Sequence, residues 1–164
     1  EERANPAARA AAWQRMIDGL AAVARHAEKC GLVLALENHG GLPCSAQEQI
    51  DAIKAVNSPN LRATIDFGNY MSCGEEGHEA TAKVAPLCAY VHMKDYKKVP
   101  DASKPWGWRP EPCTIGQGDV DQARCVAALA KAGYNGFVAV EYEGPEDETT
   151  GVPASVAVLK KFVR

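Results

Sequence analysis

Val91-His92-Met93-Lys94-Asp95 is a short apolar run that ends in an imidazole, an ammonium and a carboxylate. Three other runs end the same way. Leu32-Val33-Leu34-Ala35-Leu36 leads into Glu37-Asn38-His39, and Leu61-Arg62-Ala63-Thr64-Ile65 leads into Asp66. Phe137-Val138-Ala139-Val140 leads into Glu141-Tyr142-Glu143. All four read as strands, and each carries a candidate metal ligand at its C-terminal end. In a parallel barrel those ends meet on one face, where active sites are built.

The segments between the runs read as helices. Asn5-Pro6 pairs a capping residue with proline at the first helical position. Trp13, Met16, Ile17, Leu20, Val23, Ala24 and Ala27 follow at helical spacing, and Gly31 suits a left-handed cap. Ser45 with Glu48 is a capping-box pattern, followed by an Ile50, Ile53, Val56 stripe. A loop over 68–77 and a short helix over 78–86 lead to a third strand over 89–94. Residues 96–118, with four prolines and two tryptophans, read as a long irregular loop of the kind that forms lids or binding loops. Asp119 is expected to cap a helix carrying Val120, Ala123, Val126, Ala127, Leu129 and Ala130. After the fourth strand, 143–151 reads as an acidic loop and 152–163 as an amphipathic helix, with Lys160, Lys161 and Arg164 at its C-terminus. A helix followed by four strand–helix units implies a parallel α/β sheet with right-handed crossovers. No Gly-rich dinucleotide or phosphate loop follows any strand.

The chain has 164 residues, 46% hydrophobic and 24% charged, and a formal net charge of −3. That composition suits one soluble domain over 1–164 with a real core. The weak acidity argues against nucleic-acid partners bound through their phosphates, and no apolar run has the length of a bilayer span. The opening residues are polar and form no signal peptide. They lack an initiator methionine, so either a tag was trimmed or the chain begins inside a longer reading frame. Cys30, Cys44, Cys73, Cys88, Cys113 and Cys125 are scattered without a C-x-x-C pair. They read as reduced thiols of a cytoplasmic protein, with Cys30, Cys88 and Cys125 as small core fillers.

Glu37, Asp66, His92 and Glu141 offer three carboxylates and one imidazole, one strand apart from the next. A charge at one strand end is ordinary solubility. A charge at all four calls for partners or a metal. An oxygen-rich set with one histidine favours Mn²⁺, with Mg²⁺ or Co²⁺ next and Zn²⁺ less suited.

The motifs L-A-L-E-N-H-G-G, T-I-D-F-G-N, V-H-M-K-D-Y, I-G-Q-G-D-V-D and G-Y-N-G-F-V-A-V-E-Y-E-G resemble successive strand ends of the xylose isomerase-like TIM barrels. That superfamily holds sugar isomerases, ketose 3-epimerases, inosose-type dehydratases and the endonuclease IV group. The match fits the last four strands of eight, hence a parallel (β/α) half-barrel. The resemblance implies that Glu37, Asp66, His92 and Glu141 bind one divalent cation, which holds a hydroxy-ketone and stabilises a cis-enediolate. It also implies that Glu37 and Glu141 serve as acid and base on opposite faces of a carbohydrate substrate. The alternatives are a dehydratase expelling a β-hydroxyl and an inactive metal-binding fragment.

Strand alternation adds Lys94 and His39 on the sides of His92 and Glu37. Lys94 either holds a substrate oxygen or pairs with a carboxylate. His39 either reaches substrate, supports a metal ligand from outside, or faces water at a loop tip. Trp106 and Trp108 either face a sugar ring or pin the loop. His26 and His78 read as helix-surface residues, and Glu143 and Glu146 as a solvated acidic face. Family members often carry histidine three residues after the aspartate and arginine six after the histidine. Here Asn69 and Lys98 stand there, both as expected substrate contacts, and Asn69 argues against the endonuclease IV group. A full barrel needs about 250 residues. Four strands are expected to leave two free edges and an open apolar interior. A second copy could close the barrel, the chain could be the C-terminal part of a longer one, or it could swap elements into another assembly.

Overall fold

The computed structural model describes residues 5–162. The polar opening at 1–4, and Val163 and Arg164 of the expected last helix, lie outside that range. Helix α1, Pro6–Cys30, starts where Asn5 accepts hydrogen bonds from the Ala7 and Ala8 amides, and stops at Gly31 with φ 66°. A cap of this kind stabilises a helix by about 1 kcal/mol. Strand β1, Leu34–Glu37, is two residues shorter than expected. Its partner β2, Leu61–Asp66, pairs from Leu34↔Leu61 onward, so Leu32 and Val33 have no strand beside them and stand exposed.

Helix α2, Ala46–Val56, opens with the expected Ser45–Glu48 capping box. The expected loop at 68–77 contains a 3-10 helix, Asn69–Cys73. Helix α3, Gly77–Val84, then leads to strand β3, Cys88–Met93. Gly77 has no room for a side chain, since a Cβ there would lie 2.2 Å from the Phe67 carbonyl oxygen.

The stretch expected as an irregular loop holds an antiparallel hairpin, β4 Tyr96–Pro100 and β5 Trp108–Pro112. Its prolines sit in a two-stranded ribbon, where missing amide donors are tolerated. Helix α4, Gln122–Lys131, is capped by Asp121 rather than Asp119. Asp119 instead accepts from the Lys98 amide at 2.6 Å and holds the hairpin. After strand β6, Val138–Val140, helix α5 runs Glu148–Leu159. It starts four residues before the expected 152, because Asp147 caps it through the Thr149 amide at 2.9 Å. The acidic loop is correspondingly shorter, and Lys160 and Lys161 fall just past the helix end.

The four long-range strands form one parallel sheet in the order β1-β2-β3-β6. Among the described residues it does not close. One face carries Leu61, Ala63, Ile65, Val91 and Met93, all buried in the core. The register puts Ala35 beside Arg62, Glu37 beside Thr64, Thr64 beside Tyr90, and Asp66, His92 and Ala139 in one row. The other face is therefore largely polar, with Arg62, Thr64, Tyr90 and His92 along it, not the apolar interior expected of an open half-barrel. Cys88 and Cys125 are buried as expected, but Cys30 is exposed in the last turn of α1, with its Sγ 3.5 Å from His26 Nε2.

Two buried polar groups fix the strand ends. The Gln49 amide donates to the Leu36 and Thr64 carbonyls at 2.7 and 2.8 Å and accepts from the Tyr70 hydroxyl at 2.6 Å. Asp95, 2% exposed, accepts the amides of Gly116, Gly118 and Val120 at 2.8, 3.0 and 3.2 Å. This is why glycine stands at 118, where a Cβ would lie 2.1 Å from Asp95 Oδ1. Asp95→Ala strips three amides of their acceptor at once and is expected to cost about 3 kcal/mol. The midpoint of urea unfolding measures it. An unchanged midpoint would show that the loop from Thr114 to Val120 draws nothing from this carboxylate.

Candidate metal centre

The parallel sheet delivers its strand ends to one rim. Glu37 ends β1, Asp66 ends β2, His92 is the penultimate residue of β3, and Glu141 follows β6. One ligand atom from each can be chosen so that all four lie within 4.8 Å of one another. His92 Nδ1 is 3.0 Å from Glu37 Oε1, 3.3 Å from Glu141 Oε2 and 3.9 Å from Asp66 Oδ2.

Asp66 is fully buried. Its Oδ1 accepts the Gly68 and Asn69 amides at 2.8 and 2.7 Å. Its backbone is clamped by the Asn38 side chain, which donates to the Asp66 carbonyl at 3.0 Å and accepts from its amide at 2.9 Å. Asp66 Oδ2 has no hydrogen bond. A buried carboxylate oxygen without a donor is costly, and this one faces the imidazole and the other carboxylates. That orphan oxygen, with the oxygen-rich donor set, fits a divalent cation.

Lys94, just after β3, reaches the same cluster. Its Nζ lies 2.8 Å from Glu141 Oε2, 3.1 Å from Glu143 Oε1, 3.6 Å from Asp66 Oδ2 and 3.4 Å from Asn69 Oδ1. Burial pushes the Asp66 carboxyl up; Lys94 opposes this and Glu141 adds to it, leaving it at about 8. Burial acts on Glu141 too, but the neighbouring Asp66 carboxyl and the Lys94 ammonium outweigh that and lower it. The hydrogen bond to Glu37 raises His92, against the pull of burial.

The other expected site residues divide. Asn69 is at the centre: its amide nitrogen donates to Glu37 Oε1 at 3.3 Å and to the Asn38 carbonyl at 3.1 Å. His39 is exposed at the rim, its backbone amide bonded to the Pro43 carbonyl. Lys98 pairs with Glu76 and lies 5.0 Å over the Trp108 ring. Trp106 packs on Gly74 and tilts against Trp108. Lys98 and Trp106 thus belong to the hairpin and its docking surface, and neither is hydrogen-bonded to the four clustered residues. Glu143, read from sequence as part of a solvated face, is instead tied into the cluster by Lys94 and by the Tyr96 hydroxyl, which donates to Oε2 at 2.9 Å. The two-residue alternation that linked Lys94 to His92 would also have linked Glu143 to Glu141.

The model of the xylose isomerase-like TIM barrel family matches residues 2–162. The chain belongs to that family. It is 26% identical over 162 residues to an inosose dehydratase of Clostridium perfringens, covering 93% of this chain and 54% of that protein. A xylose isomerase domain protein from Planctomyces limnophilus superposes with a TM-score of 0.78 at 25% identity, over 98% of this chain and 54% of that one. A xylose isomerase-like TIM barrel protein from Mycobacterium smegmatis, solved in complex with magnesium, gives 0.71 at 22%, over 95% and 51%. D-psicose 3-epimerase from Clostridium cellulolyticum, solved with D-tagatose, gives 0.67 at 21%, over 91% and 54%. The chain spans about half the length of the relatives it matches. Four parallel strands in an open sheet are what half of such a barrel contains. No helix among the described residues is long and apolar enough to cross a membrane.

If the four side chains bind a cation together, removing the buried one is the sharpest test. Asp66→Asn is expected to lower divalent-cation affinity at least tenfold, read by calorimetric titration with Mn²⁺ and Mg²⁺. Equal affinity in the variant would place the cation elsewhere.

Proposed function

We propose that this chain carries the metal-binding half of an isomerase or epimerase that acts on a sugar or polyol ketone through a cis-enediolate. The observation that carries this reading is the meeting of Glu37, Asp66, His92 and Glu141 at the strand ends, with Asp66 Oδ2 buried and without a hydrogen-bond donor. These four would hold the cation, with Mn²⁺ favoured by three carboxylates and one imidazole. Bound there, a divalent cation supplies Lewis acidity toward a carbonyl oxygen.

Exposure assigns the remaining roles. The Asp66 and Lys94 side chains are 0% and 2% exposed, so they position other groups. The Glu37 and Glu141 side chains are 29% and 37% exposed, so substrate can reach them. They stand on the two outer strands of the sheet. Each can therefore move a proton from its own side of a substrate carbon lying between them, one as base and the other as acid. Asn69 orients Glu37 through its amide nitrogen. His39, at the open rim, is the further candidate for substrate contact. Lys94, between Glu141 and Glu143, holds both carboxylates in place.

The runner-up is dehydration of an inosose-like ketone, favoured by the 26% identity to inosose dehydratases. The same proton abstraction then leads to loss of a β-hydroxyl as water. Incubation with a panel of ketoses and inososes plus Mn²⁺, followed by mass spectrometry, separates the two. Isomerisation leaves the mass unchanged, and dehydration lowers it by one water. Glu141→Gln is expected to reduce turnover by about a hundredfold or more, the scale of a lost acid or base. Full cation binding with no turnover of any panel member would sink the enzyme reading and leave a metal-binding fragment.

The free edges of β1 and β6 belong to the same proposal. Phe137 is 81% exposed beside β6, and Leu32 and Val33 are exposed before β1. Edges of this kind invite further strand pairing, and we propose that a second copy supplies it. Light scattering is expected to give a dimer, and metal analysis of the same sample about one cation per chain, the composition of one closed barrel. A monodisperse monomer overturns the closure.

A further inference from the structure

The sequence separates Cys44 and Cys73 by 29 positions, and the fold brings them together. Cys44 lies between β1 and α2, and Cys73 ends the 3-10 helix after β2. Their side chains are in hydrogen-bond contact. Both line one cavity, open to solvent, along with Arg9, Ser72 and Trp106. Cys44 is buried and Cys73 is half-buried.

Independent contacts hold the two loops in register. The Ala46 amide donates to Glu75 Oε2 at 2.7 Å, directly bridging the start of α2 to the segment after Cys73. The Cys44 amide donates to Glu48 Oε2 at 2.9 Å, and the Cys73 thiol donates to the Tyr70 carbonyl at 3.2 Å. The sulfurs therefore meet on two anchored backbones. Other described thiols have different neighbours: Cys30 lies against His26, Cys88 donates to the Tyr90 carbonyl, and Cys125 faces Thr81.

We propose that Cys44 and Cys73 form a dithiol site that closes reversibly to a disulfide by exchange with a small-molecule disulfide. Cys73, the more accessible, loses its proton to water and attacks one sulfur of the small disulfide. That S–S bond breaks, a mixed disulfide forms, and one small thiolate leaves and takes up a proton. Cys44 then loses its proton to water and attacks the Cys73 sulfur, the mixed S–S bond breaks, and the second small thiolate leaves and takes up a proton. Two protein thiols are oxidised and one small disulfide is reduced to two thiols. The link would tie the loop that follows Glu37 to the 3-10 helix that begins at Asn69. The hydrogen bond to Cys44 and burial both raise Cys73, so the first attack is slow near neutral pH and speeds up as pH rises.

The test is incubation of the chain with oxidised glutathione, trapping with an alkylating agent, and peptide mapping by mass spectrometry. The expected product is a Cys44–Cys73 cross-linked peptide pair, lighter by two hydrogens and reversed by dithiothreitol. Cys30, Cys88, Cys113 and Cys125 should be recovered without intramolecular cross-links. Cys44→Ser and Cys73→Ser should each abolish the link. Should a serine variant misfold, the wild-type map alone still decides. Stable glutathione on Cys73 in the wild-type chain, with Cys44 recovered as a free thiol, overturns the proposal. So does any cross-link that joins a different pair.

Discussion

Like charges crowded into a small volume are the constraint on which the rest of this structure depends. Asp66, Glu141 and Glu143 converge on a single ammonium, that of Lys94, and Glu37 joins them beside the His92 imidazole. Four carboxylates against one ammonium would leave three negative charges if all were ionised. Such a cluster survives only where backbone and neighbouring dipoles hold each group, or where protons or a cation compensate. The fold supplies the first in detail. Asn38 clamps the Asp66 backbone, the Gly68 and Asn69 amides hold one Asp66 oxygen, and Tyr96 holds Glu143. Protons supply part of the second, since Asp66 is pushed up to about 8.

The supporting contacts show how far the organisation extends from the cluster. Asp95 follows Lys94 directly and gathers three amides from the loop that leads to α4. Gln122, at the start of that helix, donates back to the Lys94 carbonyl at 2.9 Å. Asp119, between them, holds the hairpin through Lys98. The segment after β3 is thus a set of polar anchors around one lysine, and its side chains lie where they do because the backbone is fixed on both sides.

The four strands and the titratable residues at their ends were legible because apolar runs ending in a charge are local features. The helices before β1 and β2 were legible for the same reason, since caps such as Asn5 and Ser45 act within a few residues. The hairpin was not, because Tyr96-Lys97-Lys98-Val99-Pro100 has no apolar alternation; what holds it is Asp119, some 20 residues along the chain. The start of α5 was misplaced because Asp147 and Glu148 resemble an acidic loop until Thr149 is seen to close the cap. Glu143 was readable by alternation but was set aside as a surface charge. The Cys44–Cys73 contact depends on how two loops pack, which no local pattern encodes.

The open face of the sheet bears on how such a half is completed. It was expected to be apolar, and it carries Arg62, Thr64, Tyr90 and His92 instead. Arg62 is occupied there, donating to the Leu87 carbonyl at 3.1 Å and to the Pro86 carbonyl at 3.3 Å. A surface of this kind gains little from water-excluding contact and does not drive association across the sheet. The apolar exposure lies at the margins, at Leu32 and Val33 on one side and Phe137 on the other. Completion is therefore favoured along the edges, by backbone pairing and burial of those few side chains. The rim stays open above, where Glu37 and Glu141 face outward. Edge pairing of the kind proposed would leave that rim, and the carboxylates on it, open to solvent.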